Sequence, residues 1–458
     1  DGVRHERAGP EQAQLLLCKL QSAPPVAVLR ESEIVTAREV TVVARQAAEQ
    51  ARLLPLLGGV FGAVDRQGDA DVDPSLAAAV LRTHDLGAGL QHLLEGDCVL
   101  GSAIGAPALS GAGLEPGPLD ALLPGWRDAP PGICVPAKRD EFALLTRSRR
   151  IRLPTPPQQH NDGNFIVSLG LLTPLLAARA EPLGVDVFPG FAAAHPLFND
   201  DGSVAGVQIG DMGIEKSGEI GPNFAPGPEV RARVTVLAEG CRGSLSKQLI
   251  QRFKLDAECD PQTYGLGFKE LWQLPEGRVE PGLIQHSIGW PLDAGTYGGS
   301  FLYHLDKQRI YIGYVVGLDY RDPRLKPFEA FQQFKHHPSI KPLLEGGEIV
   351  ASGARTIAAG GWQSLPKMEM PGALLVGDAA GTLNVAKIKG IHQAIRCGML
   401  AAQHLAEHDC ATRGFDARFR QSAGGEELRR VRNIKPGFKR GLWFALANGM
   451  LETLTGGR

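Results

Sequence analysis

At 458 residues the chain is long enough to bury a large core and to divide into two domains or more. Its 43% apolar and 21% charged residues are those of an ordinary folded protein and exclude disorder throughout. A formal net charge of -2, without a long Lys/Arg block, gives no footprint for nucleic acid.

Residues 1–97 carry little periodic order. Residues 26–29 and 40–44 read as short strands, and 44–57 as a helix stopped by Gly58 and Gly59. No strict G-x-G-x-x-G occurs; the nearest stretch, Gly58 to Gly62, has the wrong spacing for a phosphate loop. The chain opens on Asp1 and its first methionine is Met212. We therefore expect residues 1–97 to be a shifted reading frame, or another wrong coding stretch, joined to a genuine segment.

Order sets in at Cys98. Residues 98–100 look like the end of a strand and 109–113 a tight turn. In 114–126, Leu119, Leu122, Leu123 and Trp126 share one helical face, which suits either the core or a surface against lipid or a partner. Residues 153–157 are extended, 166–179 read as an amphipathic helix and 184–188 as a strand. Asp200-Asp201-Gly202 is a hairpin turn ahead of a strand at 204–209. A strand at 230–238 runs into Glu239-Gly240-Cys241-Arg242-Gly243-Ser244 and then a helix at 245–253.

From 264 to 320 strand-like runs dominate, at 283–288, 299–305 and 309–316, and predict a second, mostly antiparallel domain. A short helix at 328–334 stops at His336-His337-Pro338; adjacent histidines do not share a helical face, so solvated or capping roles fit better than metal ligation. The apolar run 373–376 leads into Gly377-Asp378, and a helix follows from Ile391 to His404. A strand, a Gly-Asp turn and a helix can hold a phosphorylated cofactor. The carboxylate accepts from a ribityl or ribose hydroxyl, glycine lets backbone approach, and the helix start offers free N–H groups. The same pair is also a common plain turn.

Near the C-terminus, Phe438, Leu442, Trp443, Phe444 and Leu446 lie beside Lys435, Lys439 and Arg440. This edge suits insertion into one membrane leaflet and, equally, a helix packed on the core. No run of 18 apolar residues and no signal peptide is visible. The seven cysteines form no C-x-x-C pair and read as reduced thiols, so no metal site is expected from them.

Several long stretches carry a family resemblance. They are residues 160–169, 238–244, Gly289-Trp290-Pro291-Leu292, 296–304, 336–340, 361–368 and 375–390. Over about residues 98–457 the chain resembles electron transfer flavoprotein–ubiquinone oxidoreductase. The resemblance implies an α/β protein (α+β overall) of para-hydroxybenzoate hydroxylase-like architecture. A Rossmann-like FAD/NAD(P)-binding domain would carry an inserted antiparallel β-sheet domain for quinone. It also implies FAD as cofactor, electron transfer flavoprotein as donor, ubiquinone as acceptor, and monotopic attachment to a bacterial or mitochondrial inner membrane. The implied divisions are 98–263 for the first FAD part, 264–350 for the quinone domain, 351–432 for the FAD return and 433–458 for a membrane-facing segment. The implied cofactor contacts are Ser110, Gly111, Arg242, Gly243, Gly377, Asp378, Gly381, Asn384 and Val385; Gly298 and Gly299 match the quinone contact, where absent Cβ atoms would admit a flat ring. No side chain is implied as a general acid or base.

Two departures stand out. The family's Gly-rich pyrophosphate loop is not seen in 1–97, and the ligands of its C-terminal four-cysteine [4Fe–4S] domain are absent. Two rivals remain: a cluster-free flavoprotein of the geranylgeranyl-reductase or nitrogen-fixation-linked type, and a non-catalytic fragment that binds no FAD.

Overall fold

The computed structural model describes residues 104–105, 108–109, 112–128, 132–215, 217–438 and 441–455. The elements expected within 1–97 and at 98–100 lie outside these residues.

In chain order the elements begin with β1 (Gly113–Leu114), α1 (Gly117–Leu122), β2 (Cys134–Pro136), β3 (Arg139–Leu145), β4 (Arg150–Leu153), β5 (Phe165–Val167) and α2 (Leu169–Ala180). There follow β6 (Ala193–Phe198), β7 (Val204–Ile209), β8 (Met212–Ile214), β9 (Ile220–Ala225), β10 (Glu229–Arg231), β11 (Thr235–Leu237) and α3 (Ser244–Phe253). The middle of the chain holds β12 (Tyr264–Gln273), β13 (Leu283–Gly289), β14 (Gly298–His304), β15 (Arg309–Gly317), α4 (Pro327–Lys335), α5 (Lys341–Leu344) and β16 (Glu348–Ala358). It closes with β17 (Glu369–Met370), β18 (Ala373–Leu375), α6 (Ile391–Glu407), α7 (Phe415–Gln421), α8 (Ala423–Arg430), α9 (Ile434–Gly437) and α10 (Leu442–Thr455).

The largest sheet has seven strands in the order β16-β12-β15-β14-β13-β3-β4. All its pairings are antiparallel except β13 with β3. It is therefore wider than the run 264–358 and takes in 139–153. The two-residue alternation of a strand assigns its faces. Along β15, Ile310, Ile312, Tyr314 and Val316 join a core with Phe331 and Phe334 of α4. Tyr311, on the other face, packs with Ala112, Ile166, Ile284, Tyr303 and Leu305. Phe331 stacks on Phe268 at 6.0 Å, and Phe334 meets Tyr314 at 5.4 Å. Burying two such rings is worth roughly 2–3 kcal/mol each. Beside them Lys335 Nζ bonds both carboxylate oxygens of Glu270, at 2.9 and 3.0 Å.

The second centre is a three-stranded sheet, β11-β18-β17, with β11 and β18 parallel. Its central strand β18, Ala-Leu-Leu, is apolar and buried on both faces, as strands under cover are. Leu237, Leu374, Leu375, Leu245, Leu249, Cys397 and Phe419 share its core.

Expected and observed elements differ at three places. Ile166 pairs with Gly113 and Val135 as a strand, so the helix after it begins only at Leu169. The run 230–238 divides into β10 and β11, because its first half pairs with β7 and its second with β18. Residues 184–188 form no strand, and Val185 and Phe188 are exposed. Leu119 and Trp126 are buried, so that stretch contributes to the core. His336 is exposed, whereas His337 is buried between Ser339 Oγ (2.8 Å) and the Thr146 carbonyl (3.0 Å).

Candidate functional site

Parallel pairing of β11 and β18 brings two turns together. Thr235 lies opposite Ala373 and Leu237 opposite Leu375, so both strands leave the sheet at the same end. Val376 N–H donates to the Leu237 carbonyl at 3.0 Å, the last bond of the pair before the two turns.

In the first turn Gly240 and Arg242 have φ of 75° and 59°, the left-handed region. Glu239 folds back over the start of α3. Its carboxylate accepts from Leu245 N–H (3.1 Å), Ser246 N–H (2.6 Å) and Ser246 Oγ (2.6 Å). The chain's own acid thus satisfies the free donors of that helix start. A Cβ on Gly243 would run into the Glu239 side chain, which explains the glycine. The Arg242 guanidinium lies 5.0 Å over the Tyr264 ring at the start of β12, where the two sheets approach.

In the second turn Gly377 and Gly381 have φ of 58° and 82°. A Cβ on Gly377 would sit 3.3 Å from that of Ala394, so α6 passes close over the turn and needs a small residue there. Asp378 Oδ1 is buried with no hydrogen-bond partner among the described residues. Burial pushes its carboxyl from 3.8 up to about 6. Buried polar atoms are nearly always paired, so an open acceptor on a buried acid fits a hydroxyl-bearing ligand. The ribityl chain of FAD supplies such a hydroxyl. Burial also pushes the Cys241 thiol up to about 12, and the Asp378 charge adds to that shift, which places the two turns within electrostatic reach.

The chain then makes a tight loop. Asn384 N–H donates to the Lys389 carbonyl (3.0 Å) and Lys389 N–H returns a bond to Asn384 (3.2 Å). The Asn384 amide donates to Glu427 Oε1 at 2.8 Å and its Oδ1 accepts from Lys387 N–H at 3.2 Å. Asn384 therefore shapes the loop through contacts inside the protein. Val385 and Ala386 line a narrow cleft, open to solvent, with Trp362, Leu383, Leu428 and Lys435.

Gly298 and Gly299 open β14. A Cβ on Gly299 would stand 2.5 Å from the Ser287 carbonyl oxygen, and one on Gly298 would run into the Val315 carbonyl. Close strand packing alone requires both glycines, so the space they leave is occupied by their own chain. Next to them Tyr297 meets Phe438 edge-on at 4.9 Å, and Lys435 Nζ lies 4.1 Å over its ring. The segment at α9 thereby covers the start of β14. Beyond it, Phe444 and Leu451 on α10 are exposed while Ala445 is buried, so this helix has both a packed and an apolar open side. No helix among the described residues is long and apolar enough to cross a membrane. Ser110 and Gly111 lie outside the described residues.

Sequence reasoning did not find the charged cluster behind the 384–389 loop. Glu115, His392 and Glu427 have ligand atoms within 4.8 Å of one another, the one such group among the described residues. Lys387 Nζ already stands between the acids, 2.8 Å from Glu115 and 3.3 Å from Glu427. An ammonium fills the place a metal ion would take. The three chain segments that supply these residues are far apart in sequence, so no spacing rule announces them.

Among solved structures, a geranylgeranyl bacteriochlorophyll reductase-like protein from Thermoplasma acidophilum matches with a TM-score of 0.57 at 18% identity, covering 78% of this chain and 83% of that one. Together with the paired turns, this defines a mixed α/β, Rossmann-like fold.

The family model described as ETF-QO, ubiquinone-binding, matches residues 264–357. Electron transfer flavoprotein-ubiquinone oxidoreductase, mitochondrial, of Homo sapiens is 47% identical over 348 residues, 73% of this chain and 56% of that protein. The Oryza sativa protein of the same name is 45% identical over 364 residues, 78% of this chain and 63% of that protein. Over the matched residues the chain is similar to the electron transfer flavoprotein–ubiquinone oxidoreductases. It spans little more than half the length of the curated relatives it matches.

Proposed function

We propose that this chain is the FAD- and quinone-holding part of an electron transfer flavoprotein–ubiquinone oxidoreductase. It accepts electrons from reduced electron transfer flavoprotein and delivers them to ubiquinone. The observation that carries this reading is the open Asp378 carboxylate oxygen in the turn after β18, in a chain 47% identical over 348 residues to a protein of that name.

FAD, when bound, supplies the capacity to take up and release electrons. The chain's own residues bind and orient. Asp378 accepts from a cofactor hydroxyl, and the glycines at 377 and 381 keep that turn close to the ligand. Arg242, held over the Tyr264 ring in the neighbouring turn, offers a positive charge to an anionic part of the cofactor. Asn384 keeps the shape of its loop through bonds to Lys389 and Glu427, and Val385, on the cleft, would present backbone to the flavin edge. The β14 start at Gly298 and Gly299 contacts the quinone through main-chain groups rather than through open space. The exposed Phe444 and Leu451 of α10 support attachment to one leaflet of an energy-conserving inner membrane, bacterial or mitochondrial.

Purified chain titrated with FAD tests the proposal. The expected result is stoichiometric flavin with quenched fluorescence, reduced by electron transfer flavoprotein and reoxidised by a short-chain ubiquinone. A chain that stays colourless establishes the cofactor-free fragment instead. Flavin that binds but ignores ubiquinone establishes the cluster-free reductase.

A further inference from the structure

The acid cluster behind the 384–389 loop is a clamp with a definite charge pattern. Glu427, on α8, is its hub. It accepts from Asn384 Nδ2 (2.8 Å) and His392 Nε2 (2.9 Å), with Lys387 Nζ and Arg396 Nη1 each at 3.3 Å. Lys387 ties in Glu115 from the segment after β1, at 2.8 and 3.0 Å. Burial alone raises the Glu427 carboxyl. The His392 and Asn384 hydrogen bonds and the surrounding positive charge outweigh it and hold the acid far below the usual carboxylate range. His392 is fully buried in the first turn of α6, the helix that follows the loop.

A second, independent observation shows that this loop needs a clamp. Ile388 has φ of 58°, a left-handed conformation that a β-branched residue adopts only under constraint. Such strain persists where surrounding contacts over-determine it. The contacts around Ile388 are Asn384 paired with Lys389 across the loop, Ile388 N–H on the Val385 carbonyl (3.3 Å), and the Glu427 hub beneath. The loop ends at Gly390, whose Cβ position is 3.7 Å from Asp378 Oδ1. The clamp therefore reaches the proposed cofactor acid through a single residue.

We infer that Glu427 is a positioning residue: through Asn384, Lys387 and His392 it holds the strained 384–390 loop in its left-handed conformation, and the charges paired around it set how readily the flavin is reduced. The second half of this inference rests on the proposed FAD site. The first half does not.

Charge sign separates this role from plain structural support. Reduction adds negative charge to the flavin, so removing a nearby acid favours the reduced form and removing a nearby cation opposes it. Three variants are compared with the wild-type chain: Glu427→Gln, Glu427→Asp and Lys387→Met. Amide hydrogen exchange is measured without FAD, and the reduced-to-oxidised flavin ratio at fixed solution potential with it. All three variants should raise exchange at 384–391 roughly tenfold or more while residues 244–253 stay protected. At fixed potential, Glu427→Gln should raise the reduced-to-oxidised ratio roughly threefold to tenfold, and Lys387→Met should lower it by a similar factor. Glu427→Asp, which keeps the charge, should leave the ratio within about twofold of wild type. Unchanged exchange at 384–391 overturns the clamp. Ratios that move the same way in Glu427→Gln and Lys387→Met overturn the charge assignment. Failure of the wild-type chain to take FAD defeats the cofactor reading and the charge assignment together, and leaves the exchange comparison to decide the clamp.

Discussion

Replacing Asp378 with Asn should stabilise the FAD-free protein at neutral pH and weaken it as a cofactor site. The buried carboxyl titrates near 6 instead of 3.8 because burial penalises its charged form. Between those pH values the folded chain keeps a proton that the unfolded chain has released, so stability falls as pH rises through the window. At about 1.36 kcal/mol per pH unit, the whole shift is worth roughly 3 kcal/mol above pH 6, and nothing below pH 4. Asn has nearly the same shape and no charge to bury. Denaturant unfolding of both proteins from pH 4 to pH 8, without FAD, should therefore show equal stability at the acid end and a growing advantage for Asp378→Asn toward pH 8. Saturating FAD should reverse the order, because a ligand hydroxyl loses its charged acceptor, a bond worth about 1.5–3 kcal/mol. If Asp378→Asn unfolds as easily as wild type at pH 8 without FAD, the carboxylate is already satisfied inside the protein and the argument for an open acceptor fails.

Gly299→Ala should cost about 1–3 kcal/mol in thermal unfolding even without quinone, since its Cβ meets the Ser287 carbonyl; a neutral result would return this glycine to ligand binding alone. Glu239→Ala should cost about 1–2 kcal/mol and raise amide exchange at the first turn of α3, where three donors lose their acceptor. Lys335→Met should cost about 3–5 kcal/mol by denaturant titration, because Glu270 is left as an unpaired buried charge. Changing both members of that pair to apolar residues should recover most of the loss.

What was legible in the sequence was what repeats locally. The strand at 204–209, the helix at 244–253 and the runs at 283–289, 298–304 and 309–317 show themselves through alternation or helical spacing, and each forms within a residue or two of expectation. The same holds for the strand and helix around Gly377-Asp378. What was hidden depends on distant partners. Residues 139–153 give no strong strand signal, yet they form two strands because β13 offers an edge. Val185 and Phe188 read as a strand, but no neighbour pairs with them among the described residues. The Glu427 hub comes from side chains meeting across tens or hundreds of residues, whereas the Glu239 cap spans only six or seven and depends on the left-handed turn between. The two turns converge because β11 and β18 are parallel, and the motifs implied that pairing only through the family resemblance.

The pairing of β13 with β3 bears on how this molecule is assembled. An isolated segment bounded at 264–357, the limits of the family model, would keep β12 to β15 but leave β13 as a bare edge from Leu283 to Gly289. Unpaired edges of that kind invite strand-to-strand aggregation. The stretch 139–153 would have to be supplied in trans, or refolding from such a piece would end in precipitate. Closing this sheet also joins regions far apart along the polypeptide, so its completion belongs late in folding, after the local hairpins have formed.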